Sequence, residues 1–282
     1  MLDFSCSGFG RAAGSCLLLL LEVCSACAAV ELVPDGPEPA LFGDGKRTFR
    51  ALFRNTGDSA IEAHLEFRLY QASASTLAPL GDLRTWRTVP LGAGQTIVES
   101  VEVELPTVRG ETGFQVIWFD GRTKLGATSL RIFPDELLKP LAALGGDAPV
   151  GLIDPEGQFK TALAAVRVQE LKEAEDISAA ETRLILIAPM AAANRPAGLL
   201  TAIKKKASNG TAVVWLQAPA QYPSRTFPET YLLEEGNGRV VIAASATILP
   251  LAESPRAQLT LLRLAALATG KAKLDWPADT KP

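Results

Sequence analysis

Residues 148–166, APVGLIDPEGQFKTALAAV, constrain the fold of this chain more than any other stretch. A short apolar run (Val150, Leu152, Ile153) ends at Asp154, Pro155-Glu156-Gly157 turns the chain, and Phe159 to Val166 has helical spacing. A strand that passes through a tight turn into a helix is a βα unit. It predicts an all-β part before this point and an α/β part after it.

The residues before the unit carry strand signals. TFRALFR (48–54) alternates apolar and polar residues, and Asn55-Thr56-Gly57-Asp58 supplies turn chemistry. AIEAHLEFRLY (60–70) puts Ile61, Ala63, Leu65, Phe67 and Leu69 on one face. Trp86 and Val89 belong to a third strand. TIVESVEVEL (96–105), GFQVIWFD (113–120) and ATSLRIF (127–133) complete the set. About seven short strands punctuated by turns predict an antiparallel sandwich over 30–134. Residues 135–147 read as a junction helix, capped by Asp135 and ended by Gly145-Gly146.

After the unit, strand and helix alternate. Residues 170–180 are polar and read as a short helix. TRLILIA (182–188) reads as a central strand, and 197–207 as a helix with Lys204-Lys205-Lys206 in its last turn, where cations suit the dipole. TAVVWL (211–216) and RVVIAA (239–244) are further strands joined by a long loop, and 258–269 is the terminal helix. Strands separated by helices predict a parallel sheet with right-handed crossovers over 148–270. A polar tail follows at 271–282.

The N-terminus has another character. Arg11 precedes an apolar stretch with five leucines (Leu17 to Leu21), and Ser25-Ala26-Cys27-Ala28-Ala29 follows, which is the pattern of a secretory signal peptide over 1–29. Cys24-Ser25-Ala26-Cys27 also partly resembles a bacterial lipobox, with Cys27 as the lipidated residue, although cysteine stands where that motif prefers leucine. All four cysteines lie in this segment, so a processed chain would carry no disulfide, thiolate metal site or cysteine nucleophile. Export without disulfides predicts a bacterial periplasm or cell surface. Asn209-Gly210-Thr211 matches a glycosylation sequon but also reads as a turn.

Composition narrows the chemistry further. A net charge of −3 and a pI near 5.4 predict no nucleic-acid partner, and no apolar run reaches the ~18 residues of a membrane span. Membrane association is expected only through a lipid anchor at Cys27. His64 is the only histidine and falls mid-strand in the all-β part, which leaves the α/β part without a His-based triad or a zinc site. No P-loop or GxGxxG follows a predicted strand, and no cofactor is expected.

Ligands of an open parallel sheet sit beyond the carboxyl ends of its strands. Those positions carry Asp154, Glu156, Pro189-Met190, Gln217 and Ser245, and the loop after Gln217 adds Gln221, Tyr222, Arg225, Glu229, Tyr231, Glu234 and Glu235. The binding candidates are Asp154, Glu156, Gln217, Gln221, Tyr222, Glu229, Tyr231 and Ser245. Tyr222 and Tyr231 are the candidates for stacking on a sugar, whereas Trp118 and Trp215 read as core. A glycosidase needs two carboxylates about 5–10 Å apart, and Asp154 with Glu229 or Glu234 is the pair to consider. Against this, Asp154-Pro155-Glu156-Gly157 also reads as turn chemistry with helix-start charge.

Two resemblances follow from these residues. Strand-Asn55-Thr56-Gly57-strand, Trp86 to Pro90-Leu91-Gly92-Ala93-Gly94, and Val116-Ile117-Trp118 resemble the Ig-like modules of bacterial exported and glycan-associated proteins. This resemblance implies a spacer, docking or ligand-presenting role. Val150 to Gly157 with its helix, Leu184 to Ile187, and Gly210 to Gln217 look like the flavodoxin-like, class I glutamine amidotransferase-like domains, which in some relatives are non-catalytic parts of β-galactosidase-type enzymes; the resemblance implies a flavodoxin-like α/β layer over 148–270. That family needs a Cys in a strand–helix elbow with a downstream His and Glu; no Cys or His here matches, so no catalytic residue carries over. The expectation is a non-catalytic, exported two-domain protein that binds an envelope protein or a glycan. The alternative is a carbohydrate-active enzyme or subunit working with carboxylates alone.

Overall fold

Alternation of apolar and polar residues lays down the first strands. In β6 (Thr96–Leu105), buried Val101, Val103 and Leu105 alternate with exposed Glu102 and Glu104. The computed structural model describes residues 29–168, 170–178, 180–217, 230–244 and 251–272. The remaining strands of the first half are β1 (Val30–Val33), β2 (Ala40–Phe42), β3 (Gly45–Asn55), β4 (Ile61–Ala72), β5 (Leu77–Leu91), β7 (Thr112–Asp120) and β8 (Thr123–Phe133). They form one sheet in the order β1-β3-β6 and another in the order β2-β8-β7-β4-β5. Phe49, Phe53, Val101 and Val103 of the first sheet share a core with Leu65, Phe67, Val116, Trp118 and Leu130 of the second. Trp118 is at its centre. It is fully buried, packs edge-on against Phe53 at 5.0 Å between centroids, and donates its indole N–H to Thr128 Oγ1 at 3.1 Å.

The second half contains α1 (Pro140–Leu144), β9 (Val150–Ile153), α2 (Gln158–Ala165), β10 (Leu171–Glu173), β11 (Leu184–Ile187), a 3-10 turn at Ala192–Asn194, and α3 (Leu199–Ser208). β12 (Ala212–Gln217), β13 (Thr230–Glu235), β14 (Gly238–Ala244) and α4 (Pro255–Ala268) follow. The strands form a sheet in the order β10-β9-β11-β12-β14-β13. Every residue of β9 and β11 is buried because both faces are covered, which is why these runs are continuously apolar rather than alternating. On one face Leu152, Leu186, Val214 and Val241 pack with Phe159 and Leu163 of α2 and Leu261 and Leu264 of α4. On the other, Ile185, Val213, Trp215 and Val240 pack with Leu199 and Ile203 of α3.

These elements correct the expected fold class. Among the described residues, strands make up 47% of the structure against four α-helices, with neither a flavodoxin-like parallel α/β layer nor a clear division into two domains. The sheet of the second half is mixed, because β13 runs antiparallel to β14, with Glu235 opposite Gly238. Gly236 and Asn237 make the two-residue hairpin between them, with Gly236 at φ 57° where an L side chain is strained. Residues 230–235, expected to lie in a loop, are thus a strand, and TYLLEE carries no alternation to mark it. Residues 171–173 are likewise a strand and not part of a helix. They form an edge strand in which Leu171 pairs with Val150 and is half-buried, whereas Lys172 and Glu173 are exposed. The five-stranded sheet of the first half is mixed too, since β2 is parallel to β8. The two halves also touch directly. Arg256 of α4 donates to the Glu38 carbonyl, and Arg47 lies 3.9 Å from Asp135.

Candidate functional site

The turn after β9 holds the two acids that the sequence reading singled out. Asp154 is half-buried, and its Oδ2 accepts the Lys160 backbone N–H at 2.7 Å. That amide belongs to the first turn of α2, where helix geometry leaves N–H groups without intrahelical partners. Gly157, at φ 71°, allows the chain to turn sharply enough for Asp154 to cap the helix from outside it. Asp154 Oδ1 is buried and has no hydrogen-bond partner among the described residues.

Glu156 is exposed and reaches across to the segment after β11. Its Oε1 accepts the Ala191 backbone N–H at 3.1 Å and the Asn194 side-chain amide at 3.2 Å. These two donors hold its carboxyl below the ordinary value of 4.5, the Ala191 N–H contributing more than Asn194. A carboxylate with a lowered folded-state pKa stabilises the structure above its unfolded pKa. The contribution of Glu156 is therefore complete above pH 4.5 and is lost as pH falls through the lower folded value. Neither Ala191 nor Asn194 was a candidate from sequence. The only signal was a polar Asn194-Arg195-Pro196 between an apolar strand and a helix. Arg195 was missed with them, and its guanidinium lies over the Trp215 ring at 5.2 Å.

The other candidates lie progressively farther along the sheet. Gln217, half-buried, ends β12 opposite Ala244 of β14. Tyr231 is half-buried in β13 opposite Ile242. From β9 to β13 the order β9-β11-β12-β14-β13 has four strand steps, which at about 4.8 Å each separates Asp154 from Tyr231 by roughly 19 Å. Asp154 and Glu156 are thus brought together, whereas Tyr231 is not beside them. Gln221, Tyr222, Glu229, Ser245 and Cys27 lie outside the described residues.

The same register removes one proposed acid–base pair. β13 runs antiparallel, so Glu234 sits opposite Arg239 near the start of β14, at the amino end of the sheet. It pairs there with Arg239 at 3.2 Å, while Glu235 pairs with Lys204 at 3.3 Å. The lateral offset of β13 from β9 alone exceeds the 5–10 Å of a glycosidase pair. His64 is an exposed residue of β4 whose Nδ1 lies 2.9 Å from Thr88 Oγ1. Among the described residues, no three His, Cys, Asp or Glu side chains gather as metal ligands, and no helix is long and apolar enough to cross a membrane.

No family model matches the chain, and no curated protein matches it in sequence. Among solved structures, a β-glucosidase from Listeria innocua in complex with glucose is similar over 37% of this chain and 16% of its own, at 17% identity and a TM-score of 0.29. A Pseudomonas fluorescens alkylpurine DNA glycosylase bound to DNA containing an abasic site analog covers 38% of this chain and 31% of its own, at 15% identity and a TM-score of 0.28. A Niemann-Pick type C2 protein from the Japanese carpenter ant covers 37% and 88%, at 9% identity and a TM-score of 0.28. This chain therefore spans about a sixth of the glucosidase, and likenesses of this strength decide neither fold nor function.

Proposed function

We propose that this chain is an exported, non-catalytic protein that binds a partner protein or a glycan at the bacterial envelope, in the periplasm or on the cell surface. One observation carries the non-catalytic part. Both acids of the β9–α2 turn are committed to backbone amides, Asp154 to Lys160 and Glu156 to Ala191. A general acid or base must be free to exchange a proton with substrate, and an exposed carboxylate with a lowered pKa is a poor proton donor near neutrality. The leader-like pattern of residues 1–29 supports export, and Cys27 would supply a lipid anchor if it is processed as a lipoprotein.

A second reading has one observation in its favour. Asp154 Oδ1 is buried without a hydrogen-bond partner among the described residues, as a carboxylate oxygen awaiting a substrate hydroxyl would be. It makes the chain a carbohydrate-active enzyme or subunit. Incubating the purified chain with a panel of nitrophenyl glycosides separates the two. The expected result is no nitrophenol release above buffer. Turnover that disappears in Asp154→Asn would overturn the binding-protein reading.

A further inference from the structure

Where the two halves of the molecule meet, a cleft of ≈ 520 Å³ opens between β2 and β3 on one side and the ends of α2 and α4 on the other. Its size lies within the range of about 300–1,000 Å³ typical of small-molecule sites. A second cleft of ≈ 470 Å³ adjoins it through Glu136, Val166 and Arg167, which line both. The site lies away from the turn that carries Asp154 and Glu156, and none of the sequence candidates lines it.

Gln258 of α4 is the anomaly in its wall. The side chain is 1% exposed, and its Nε2 donates to the Leu251 carbonyl at 2.9 Å, but its Oε1 is buried with no hydrogen-bond partner among the described residues. A buried amide oxygen left unmade costs free energy comparable to a lost hydrogen bond, so a donor is wanted there. Arg167 is the second anomaly. Helix α2 ends in a Schellman arrangement, with Val168 N–H on the Leu163 carbonyl and Arg167 N–H on the Ala164 carbonyl. Arg167 occupies the left-handed position at φ 58° that glycine normally fills. A cation at a helix C-terminus suits the dipole. That does not explain why a long side chain is kept at a strained position with no ion pair or hydrogen bond to its guanidinium among the described residues.

A charge census of the wall shows what remains for a ligand. Arg47 is used by the Phe42 and Gly43 carbonyls, both at 3.1 Å, and by Asp135. Glu136 pairs with Lys139 at 3.5 Å. Among the described residues, one cation (Arg167) and one anion (Glu253) are left over, beside an apolar surface of Leu41, Phe42 and Val166.

We propose that this seam cleft binds a small zwitterion bearing an apolar side chain, a free amino acid or a dipeptide. Its ammonium faces Glu253, its carboxylate meets the Arg167 guanidinium, and its side chain covers Leu41, Phe42 and Val166. The inference stands independently of envelope binding, since it uses none of the residues on which that reading rests.

Isothermal titration calorimetry of the full chain with the dipeptide Gly-Leu tests it. Saturable binding is expected, and Arg167→Gly should weaken it by about tenfold or more, as the loss of one charge-assisted contact does. Glycine is favoured at that backbone position, so this variant should melt no lower than the parent and a binding loss cannot be ascribed to unfolding. N-acetyl-Gly-Leu-amide, which lacks both charges, should not bind. The absence of Gly-Leu binding, equal affinity in Arg167→Gly, or binding of sucrose in place of the dipeptide would each overturn the proposal.

Discussion

Replacing Trp118 by alanine is expected to lower the free energy of unfolding by about 4 kcal/mol, in the upper part of the range for large-to-small core substitutions. The residue is fully buried and joins both sheets of the first half. Its ring touches Phe53 across the sheets at 5.0 Å between centroids, Phe67 on its own sheet at 5.4 Å, and Trp86 at 5.6 Å. Removing the indole opens a cavity that rings arranged edge-to-face cannot close by small shifts, and it leaves Thr128 Oγ1 without its indole donor. Total stability is only about 5–15 kcal/mol, so this one change takes away a large fraction of it. In urea the midpoint should fall while the slope stays that of the parent. Trp118→Phe keeps most of the volume and should cost much less. A midpoint unchanged by Trp118→Ala would mean that the two sheets do not share this core.

Asn55→Ala is expected to cost about 3 kcal/mol, more than a turn residue ordinarily would. Asn55 is completely buried at the end of β3. Its Nδ2 serves the carbonyls of Ser59 at 2.7 Å, Gly92 at 3.0 Å and Leu91 at 3.3 Å, and its Oδ1 accepts the Gly57 N–H at 2.9 Å. One side chain thus fastens the turn between β3 and β4 to the turn between β5 and β6. Alanine leaves these groups unsatisfied where water has little access, which costs more than the net value of the bonds themselves. Asn55→Asp should be at least as damaging at neutral pH, because a carboxylate would face three carbonyl oxygens. Equilibrium denaturation of both variants checks the ranking. An Asn55→Ala protein as stable as its parent would reduce the residue to ordinary turn chemistry.

Asn55 also shows what kind of information the sequence carries. Asn-Thr-Gly-Asp marks a turn from local preferences alone, but a clamp across 37 residues depends on which turn lies next to it, and no local pattern encodes that. The same holds for strands. β6 alternates as its sequence reads from Val101 to Leu105, where one face is buried and the other wet, and β9, β11 and β12 stand out as apolar runs because both their faces are covered. β13 is an edge strand whose partners lie on one side only. Its burial pattern is correspondingly indistinct, and its antiparallel direction makes the sheet mixed where a parallel one was expected.

In the candidate site, Asp154 and Glu156 were legible as acids at a strand–helix turn, because helix starts call for them. Their partners were not. The Lys160 amide follows from helix geometry, whereas Ala191 and Asn194 arrive from another crossover and are brought there by the β9–β11 pairing. The seam cleft was invisible for the same reason. Arg47, Arg167 and Gln258 are ordinary surface-type residues until the two halves of the chain come together around them.

The claim that the acids of the β9–α2 turn are structural ties is tested most directly at the Ala191 amide. Its hydrogen-exchange protection should be high above pH 4.5 and should fall as Glu156 is protonated below that value. Glu156→Gln retains a side-chain oxygen acceptor without the titration, so much of the protection should persist and its dependence on pH should flatten. Protection at Ala191 that ignores both pH and Glu156→Ala would contradict the account and return Glu156 to the set of groups free for chemistry.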